Sequence, residues 1–169
     1  MKKMFLSAVV LFACTAIYSQ SPLPVGKAQI NFGVAASQWG VPVYAGVDVG
    51  IHRDVTIGGE LSYRSWRENW KNDYYRHGIL GISGNGNYHF NTLLNIPTKY
   101  DFYAGLSLGF YSWSSPDGYK GDYNSGVALD AQVGGRYYFN NKVGLNVELR
   151  SDNAVTWGPM AKVGLSIKL

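Results

Sequence analysis

The sequence feature that most limits the possible folds of this chain is a recurrent alternation of apolar and polar residues. From Val133 onward apolar residues occupy nearly every second position, and the positions between them hold polar residues such as Arg136 and Glu148. Successive side chains of a β-strand point to opposite faces of a sheet, so this pattern predicts strands with one apolar face. Asn140 and Asn141 interrupt the pattern, and Asn tolerates the positive φ of a tight turn. The stretch 133–151 is therefore predicted to be a β-hairpin.

The same alternation recurs along the chain after residue 26. It predicts eight strands, with no helical segment and no second domain between them. The predicted strands span residues 27–36, 43–51, 55–65, 75–90, 100–113, 123–139, 143–151 and 157–169.

The connections between the predicted strands are alternately short and long. Residues 52–54 and 140–141 form short turns, whereas 67–74, 114–122 and 151–156 are longer, polar and rich in Gly, Asp and Asn. This predicts an antiparallel arrangement in sequence order, with the short turns and both chain ends on one side. Residues 91–99 are longer than this scheme expects.

The composition indicates which face of the strands is in contact with water. Charged residues make up 15% of the chain, whereas about a quarter of the residues of a soluble domain are charged. The polar face of the strands carries many small residues, such as Gly46, Gly105 and Gly144, which suit the inside of a narrow barrel. A bilayer cannot solvate unpaired backbone groups, so a spanning sheet has to close. The sequence therefore predicts an all-β, eight-stranded antiparallel up-and-down transmembrane β-barrel over residues 27–169.

Aromatic residues support this prediction because they collect at two levels, as amphipathic rings do at the two interfaces of a bilayer. The tryptophans lie at or near the long-loop side: Trp39, Trp66, Trp70, Trp113 and Trp157. A second group lies near the short turns: Tyr88, Phe90, Tyr100, Phe102, Tyr137 and Phe139. Two aromatic belts around an aliphatic band are the expected result.

The charged residues of the polar face are predicted to form an ion-pair network inside the barrel. A buried charge without a partner costs several kcal/mol, and the numbers of the two signs are equal. The acidic members are Asp48, Glu60, Asp101, Asp130 and Glu148. The basic members are Arg64, Arg136, Arg150, Lys162 and Lys168.

Residues 1–19 are predicted to be a cleaved export signal, followed by a short N-terminal segment, 20–26. Lys2 and Lys3 precede an apolar run at 4–13, and Ser19 provides a small residue for cleavage. A transmembrane anchor is an alternative, but the run is shorter than the roughly 20 residues that span a bilayer. A lipoprotein signal ending at Cys14 is another, because Leu11 to Cys14 resembles a lipobox. Loss of Lys2 and Lys3 lowers 15 basic residues to 13 against 11 acidic ones, and the resulting +2 does not indicate nucleic-acid binding.

The alternation TKYDFYAGLSLGFYSW, the hairpin GGRYYFNNKVGLNVELR and the closing strand PMAKVGLSIKL resemble the small outer-membrane β-barrel family that includes the OmpA transmembrane domain and OmpX. The resemblance covers residues 27–169, and the signal ending YSQ is similar to those of Bacteroidetes. It implies a monomer in the outer membrane of a Gram-negative bacterium, with short turns in the periplasm and long loops outside. Its expected partners are membrane lipids, including outer-leaflet lipopolysaccharide. The family includes anchors, adhesins and a few lipid-modifying enzymes, so the resemblance implies no single activity.

No catalytic residue, cofactor or metal site is predicted. His52, His77 and His89 lie in a turn, near the long-loop side and near the short-turn side, so they are not expected to share a metal. An alternative is a lipid hydrolase in which His77, Ser65 and Glu68 meet near the long-loop side. Polar residues at a loop base are the simpler interpretation.

Two further motifs are interpreted as structural. The glycine spacing of SGNGN at 83–87 lies within a strand and opens no helix, so it does not predict a phosphate site. Asp117 and Asp122 are carboxylates that calcium could use, but a solvated turn explains them better.

One long connection has the composition of a binding surface. Trp66, Arg67, Trp70 and Tyr74 mix aromatic and charged side chains, as interfaces do. They predict an extracellular surface for a protein or another surface ligand, and membership of the outer aromatic belt is the alternative. The predicted function is a non-enzymatic outer-membrane barrel with a closed polar interior. The alternatives are a narrow channel, the lipid hydrolase, and a soluble lipocalin-like barrel with its apolar face inside.

Overall fold

The computed structural model describes residues 21–70, 73–116, 125–153 and 158–169. Within these ranges eight antiparallel strands follow one another in sequence order and close into a barrel, because β1 pairs with both β2 and β8. The fold predicted from the alternation is confirmed. The strands are β1 (Ala28–Ser37), β2 (Val43–His52), β3 (Val55–Trp70), β4 (Asp73–His89), β5 (Tyr100–Ser114), β6 (Gly126–Tyr138), β7 (Val143–Ser151) and β8 (Pro159–Lys168).

The strands bury their polar face inside the barrel and expose their apolar face, which is the reverse of the arrangement in a soluble protein. On β5 the inward side chains of Asp101 and Tyr103 are 1% and 3% exposed, whereas the outward Leu106 and Leu108 are 57% and 59% exposed. The same alternation holds on the other strands. A continuous apolar surface of this kind is unstable in water and suits a lipid environment. This arrangement is opposite to the one that the lipocalin-like alternative requires.

The end of the barrel with the short connections is called the turn end. It holds residues 53–54 and 139–142, and both ends of the described barrel lie there. Residues 90–99 are the long exception, and a short helix, α1 (Asn91–Leu94), explains their length. Asn91 holds this connection in place by donating from Nδ2 to the carbonyl oxygen of Tyr100 at 2.6 Å. No helix in the described ranges is long and apolar enough to cross a lipid bilayer.

The segment before β1 packs against the turn end. The amide of Ser21 donates to the carbonyl oxygen of Arg53 at 3.3 Å, and Gly26 donates to Gly50 at 2.8 Å. Leu23 is only 2% exposed. Burial of this apolar side chain stabilises the segment on the barrel.

The opposite end is called the loop end, and there the β3–β4 connection differs from its prediction. A loop was expected at 67–74, but β3 continues to Trp70 and β4 begins at Asp73, with these two residues paired. The last β2–β3 pair is at Tyr63, and the last β4–β5 pair is at Gly78. Residues 66–70 and 73–77, here called the projecting hairpin, therefore pair only with each other. Five residues of strand extend roughly 16 Å along the strand direction.

The aromatic residues form an outward ring at the turn end. Tyr88 and Tyr100 are each 43% exposed, Phe102 is 49% exposed and Phe139 is 58% exposed. The expected tryptophan belt at the loop end is wrong for Trp39, Trp66 and Trp113, which contact one another at the loop-end opening. The physical reason is strand parity: Trp66 lies on the same face of β3 as the buried Arg64, and Trp113 on the same face of β5 as Tyr111. The side chain of Trp70 and the whole of Trp157 lie outside the described residues.

Candidate functional site

The half of the interior nearer the turn end is organised around Arg136. Its Nη2 lies 2.7 Å from Asp48 Oδ2, and its Nη1 lies 3.0 Å from Asp101 Oδ2. Asp101 also contacts His89 Nδ1 at 2.7 Å, and His89 Nε2 lies 3.0 Å from Thr56 Oγ1. All five side chains are almost completely buried. Asp101 is the direct cross-strand partner of Arg136, whereas Asp48 reaches it across the lumen from β2.

A second network, nearer the loop end, contains two carboxylates and two cations. Arg150 contacts Glu60 Oε1 at 3.1 Å and Glu148 Oε1 at 2.9 Å. Lys162 contacts Glu60 Oε2 at 2.5 Å and Glu148 Oε1 at 3.0 Å. Each cation therefore contacts both carboxylates, which balances the four charges locally. Such mutual pairing is what allows ionised groups to remain buried.

One tyrosine connects the two networks, and a second packs against the four-charge network. The Tyr103 hydroxyl donates to Glu148 Oε2 at 2.8 Å, and the Arg136 guanidinium lies 4.4 Å from the centre of the Tyr103 ring. The Tyr44 ring lies 4.1 Å from Lys162 Nζ, and its hydroxyl donates to Asn146 Oδ1 at 2.7 Å. Aromatic rings therefore fill the space between the charged groups and contribute cation–π contacts.

The remaining predicted network residues occupy different surroundings. Arg64 is paired with Asp152 through both carboxylate oxygens, at 2.5 and 3.1 Å, and it also donates to Ser37 Oγ at 2.9 Å. Asp130 is buried, but the polar groups that contact it are the Tyr111 hydroxyl and a backbone amide, both at 3.0 Å. The expected equality of five acidic and five basic residues is wrong, because Asp152 also lies inside.

Lys168, the fifth predicted cation, lies at the turn end. Its Nζ is 3.7 Å from the centre of the Tyr138 ring. The structure thus places eight of the ten predicted network residues in ion pairs, whereas Asp130 contacts neutral groups and Lys168 lies over an aromatic ring. The eight are Asp48, Glu60, Arg64, Asp101, Arg136, Glu148, Arg150 and Lys162.

Two residues of the buried networks, Asp152 and Tyr103, were not predicted as members, although the sequence contains a signal for both. Asp152 continues the inward parity of Glu148 and Arg150 by one more step beyond the end of β7. Tyr103 shares the inward face of β5 with Asp101. Extending the alternation past the predicted strand ends, and counting hydroxyl groups as network members, would have identified both.

We expect Asp152→Asn to lower the free energy of unfolding by about 2 kcal/mol, because the buried Arg64 loses a charged acceptor. Urea unfolding of the folded protein in detergent micelles measures the change. Ser37→Ala is the matched control, because it removes a neutral acceptor of Arg64, together with two longer bonds of Ser37 Oγ to Gly40 and Trp39, and should cost about half as much. Equal losses in the two variants would contradict a dominant role for the ion pair.

The space left inside the barrel is small. A cavity of about 20 Å³ lies between the two networks, and a second of about 20 Å³ lies between the four-charge network and the Arg64–Asp152 pair. Both are lined by residues that include Tyr44, Glu60, Arg150 and Lys162. A cavity of this volume holds about one water molecule.

The loop end of the interior is occupied by aromatic and apolar side chains. The tryptophan cluster consists of Trp39, Trp66 and Trp113, with ring centres 4.9 to 6.5 Å apart and nearly perpendicular rings. His77 lies 5.6 Å from Trp66, and its Nδ1 is 2.9 Å from Ser115 Oγ. Ile79, Tyr111 and Ala128 form a buried layer against Trp113. Edge-to-face aromatic contacts of this type stabilise a packed cluster.

This placement corrects one prediction about the loop end and bears on one of the alternatives. Trp66 packs in the tryptophan cluster and does not belong to the expected extracellular surface, whereas Arg67 and Tyr74 are exposed. His77 and Ser65 do not form the geometry of the hydrolase alternative, because His77 is buried and Ser65 lies on the exposed face opposite Gly78. The side chains of Glu68 and Trp70 lie outside the described residues.

The three histidines considered as metal ligands lie at separate places in the barrel. His52 ends β2, His77 lies at the loop end and His89 lies at the turn end. In the described part of the chain no three His, Cys, Asp or Glu residues are grouped as metal ligands. The segment 83–87 lies within β4, and Asp117 and Asp122 lie outside the described residues.

Comparison with solved structures identifies the fold. The outer membrane protein OprG from Pseudomonas aeruginosa has a TM-score of 0.66 and 9% identity, covering 87% of this chain and 97% of OprG. Neisserial surface protein A gives 0.58 and 13%, covering 85% and 94%. The N-terminal β-barrel domain of P. aeruginosa OprF gives 0.57 and 14%, covering 86% and 98%. No family model and no curated protein matches the sequence. The chain therefore has the fold of the small eight-stranded outer-membrane β-barrels.

Proposed function

We propose that this protein is a monomeric, non-enzymatic outer-membrane β-barrel whose interior is closed to ions and solutes and which acts through its loop end. The main support for the proposal is the combination of an exposed apolar band and a polar interior filled by paired charges. On β5 this contrast is between Leu108, 59% exposed, and Asp101, 1% exposed. The likeness to outer-membrane barrels supports the same location. In this orientation the turn end faces the periplasm and the projecting hairpin faces the exterior.

Three levels of packing support a closed interior. The Arg136 network, the four-charge network and the tryptophan cluster succeed one another along the barrel axis. The cavities between them hold about 20 Å³ each, which is too little for a continuous column of water. A hydrated ion would have to separate several buried ion pairs to pass, and each separation is unfavourable.

The location is tested by fractionation of cells that express the full chain, followed by gel mobility before and after heating. We expect recovery with the outer membrane and a heat-dependent change in mobility, because a closed barrel resists detergent until it unfolds. Recovery as a soluble periplasmic protein would contradict the proposal.

The closed interior is tested by conductance in planar bilayers. We expect no channel conductance from the wild-type protein, because the ion pairs occupy the lumen. The matched comparison is a Glu60→Ser, Arg150→Ser, Lys162→Ser variant, which removes one negative and two positive long side chains at one level. A stable conductance in the wild type would instead favour the narrow-channel alternative.

A further inference from the structure

The outward face of the projecting hairpin carries two arginines at directly opposed positions. Arg67 on β3 is the cross-strand partner of Arg76 on β4, and both are exposed. Side chains at directly opposed positions are about 5 Å apart at Cβ, and like charges there destabilise a sheet. The hairpin therefore places two positive charges where pairing alone would disfavour them.

The described outward positions of the hairpin's own two strands provide no compensating negative charge. The outward residues of β3 from Tyr63 to Asn69, and of β4 from Tyr74 to Leu80, contain no carboxylate. Among the side chains that the structure describes, no ion pair involves Arg67 or Arg76. An anion bound from outside would relieve the repulsion and use two guanidinium groups at once.

A hollow in the barrel surface lies directly below Arg76. It has a volume of about 520 Å³, and Gly78 and the opposed Ser65 are among the residues that line it. Exposed hydroxyl groups line it: Ser65, Ser112 and Ser114. Arg76 lines the hollow itself, and Arg67 lies beside it as the cross-strand partner of Arg76. Cations next to several neutral donors are a donor set that recognises phosphate.

The hollow continues downward into the apolar band. Tyr63, 51% exposed, and Leu80, 55% exposed, form its lower edge and are themselves cross-strand partners. Arg67 lies four residues beyond Tyr63 on β3. On a tilted strand this spacing places Arg67 roughly 10 Å above the apolar band. This is the depth of lipid headgroups, and side chains as long as Arg can reach down toward them.

We propose that Arg67 and Arg76, with the hollow at Gly78, bind a phosphate group of a glycolipid in the outer leaflet. The two guanidinium groups contact the phosphate, the serine hydroxyls contact the sugar, and the acyl chains lie against Tyr63, Leu80 and the adjacent apolar surface. The inference rests on the proposed outer-membrane location and names the lipid chemistry that the loop end recognises. A protein partner at the same surface would not require cations directly above the apolar band.

The test is a binding measurement on the full chain folded in nonionic detergent micelles. Native mass spectrometry measures the fraction that retains bisphosphorylated lipid A, the same lipid without phosphates, or inorganic phosphate. We expect retention of lipid A to fall roughly tenfold or more in an Arg67→Gln, Arg76→Gln variant. The matched control is Lys27→Gln, Lys142→Gln, which removes the same charge from exposed positions at the turn end and should bind as the wild type does.

Three results would overturn the inference. The first is that the arginine variant retains as much lipid A as the wild type. The second is that the wild type retains the lipid without phosphates as well as it retains lipid A. The third is that binding of inorganic phosphate depends on the two arginines as strongly as binding of lipid A does. Heat-dependent gel mobility of the same samples shows whether the barrel is folded, so failure of the lipid-binding inference is distinguished from failure of the proposed function. A variant that keeps the mobility change but loses lipid A supports both, because the barrel is intact.

Discussion

Replacement of Arg136 by Met should lower the free energy of unfolding by about 3–5 kcal/mol, the largest effect expected for a single interior side chain. The substitution leaves Asp48 and Asp101 facing each other without their shared cation. It also removes the guanidinium from the Tyr103 ring, 4.4 Å away. Reversible urea unfolding in lipid vesicles, followed by tryptophan fluorescence, measures the difference.

Two controls separate burial from charge in this experiment. Arg53→Met removes an arginine that also forms an ion pair, with Asp54 at 3.3 Å, but whose side chain is 55% exposed. Its loss should cost less than about 1 kcal/mol. A triple variant, Asp48→Asn, Asp101→Asn, Arg136→Met, removes all three charges and should recover much of the stability. A small decrease in the free energy of unfolding of the Arg136→Met variant would mean that water or other groups readily replace the cation.

Substitution of Gly164 by Val should prevent normal closure of the barrel. A Cβ atom at this position would lie 2.2 Å from the carbonyl oxygen of Phe32 and 2.6 Å from the Tyr44 hydroxyl. The first contact is with backbone of β1, so a side-chain rotation cannot relieve it. We expect a loss of about 3 kcal/mol or more, or no folded protein at all. The fraction with heat-dependent gel mobility after refolding into vesicles is the measurement.

Gly86→Val is the matched control for this prediction. Gly86 lies on β4, and a Cβ atom there would contact nothing within 4 Å. Its exposed position lies on the apolar outer surface, where Val fits a strand well. This variant should fold as efficiently as the wild type. Equal folding of both variants would show that the β1–β8 contact can widen without cost.

Strand parity made most of the architecture predictable. A period of two residues determines which side chains share a face, and this was sufficient to place Asp101 and Arg136, or Glu148 and Lys162, inside the same barrel. These pairs are direct cross-strand neighbours. The contact between Arg136 and Asp48 was not predictable in this way, because it crosses the lumen and depends on strand tilt and stagger.

The errors arose where composition was given more weight than parity. Residues 67–74 have the charged and aromatic composition of a loop, but backbone pairing continues through them as far as Trp70 and Asp73. Tryptophan is typical of membrane interfaces, yet Trp66 and Trp113 lie on inward positions and pack together. In both cases the polarity pattern changed but the alternation of inward and outward positions continued, and this parity was the more reliable signal.

Closure between β1 and β8 has a consequence for how this chain must reach its native state. Gln29 pairs with Lys168 and Ser37 with Met160, so the closing contacts join residues more than 120 positions apart. Contacts of such high sequence separation form slowly, and until they form both edge strands expose unpaired N–H and C=O groups. The last eleven residues therefore control the lifetime of an aggregation-prone intermediate. A chain stalled or truncated before Pro159 retains two open edges, so its fate depends on chaperones and proteases.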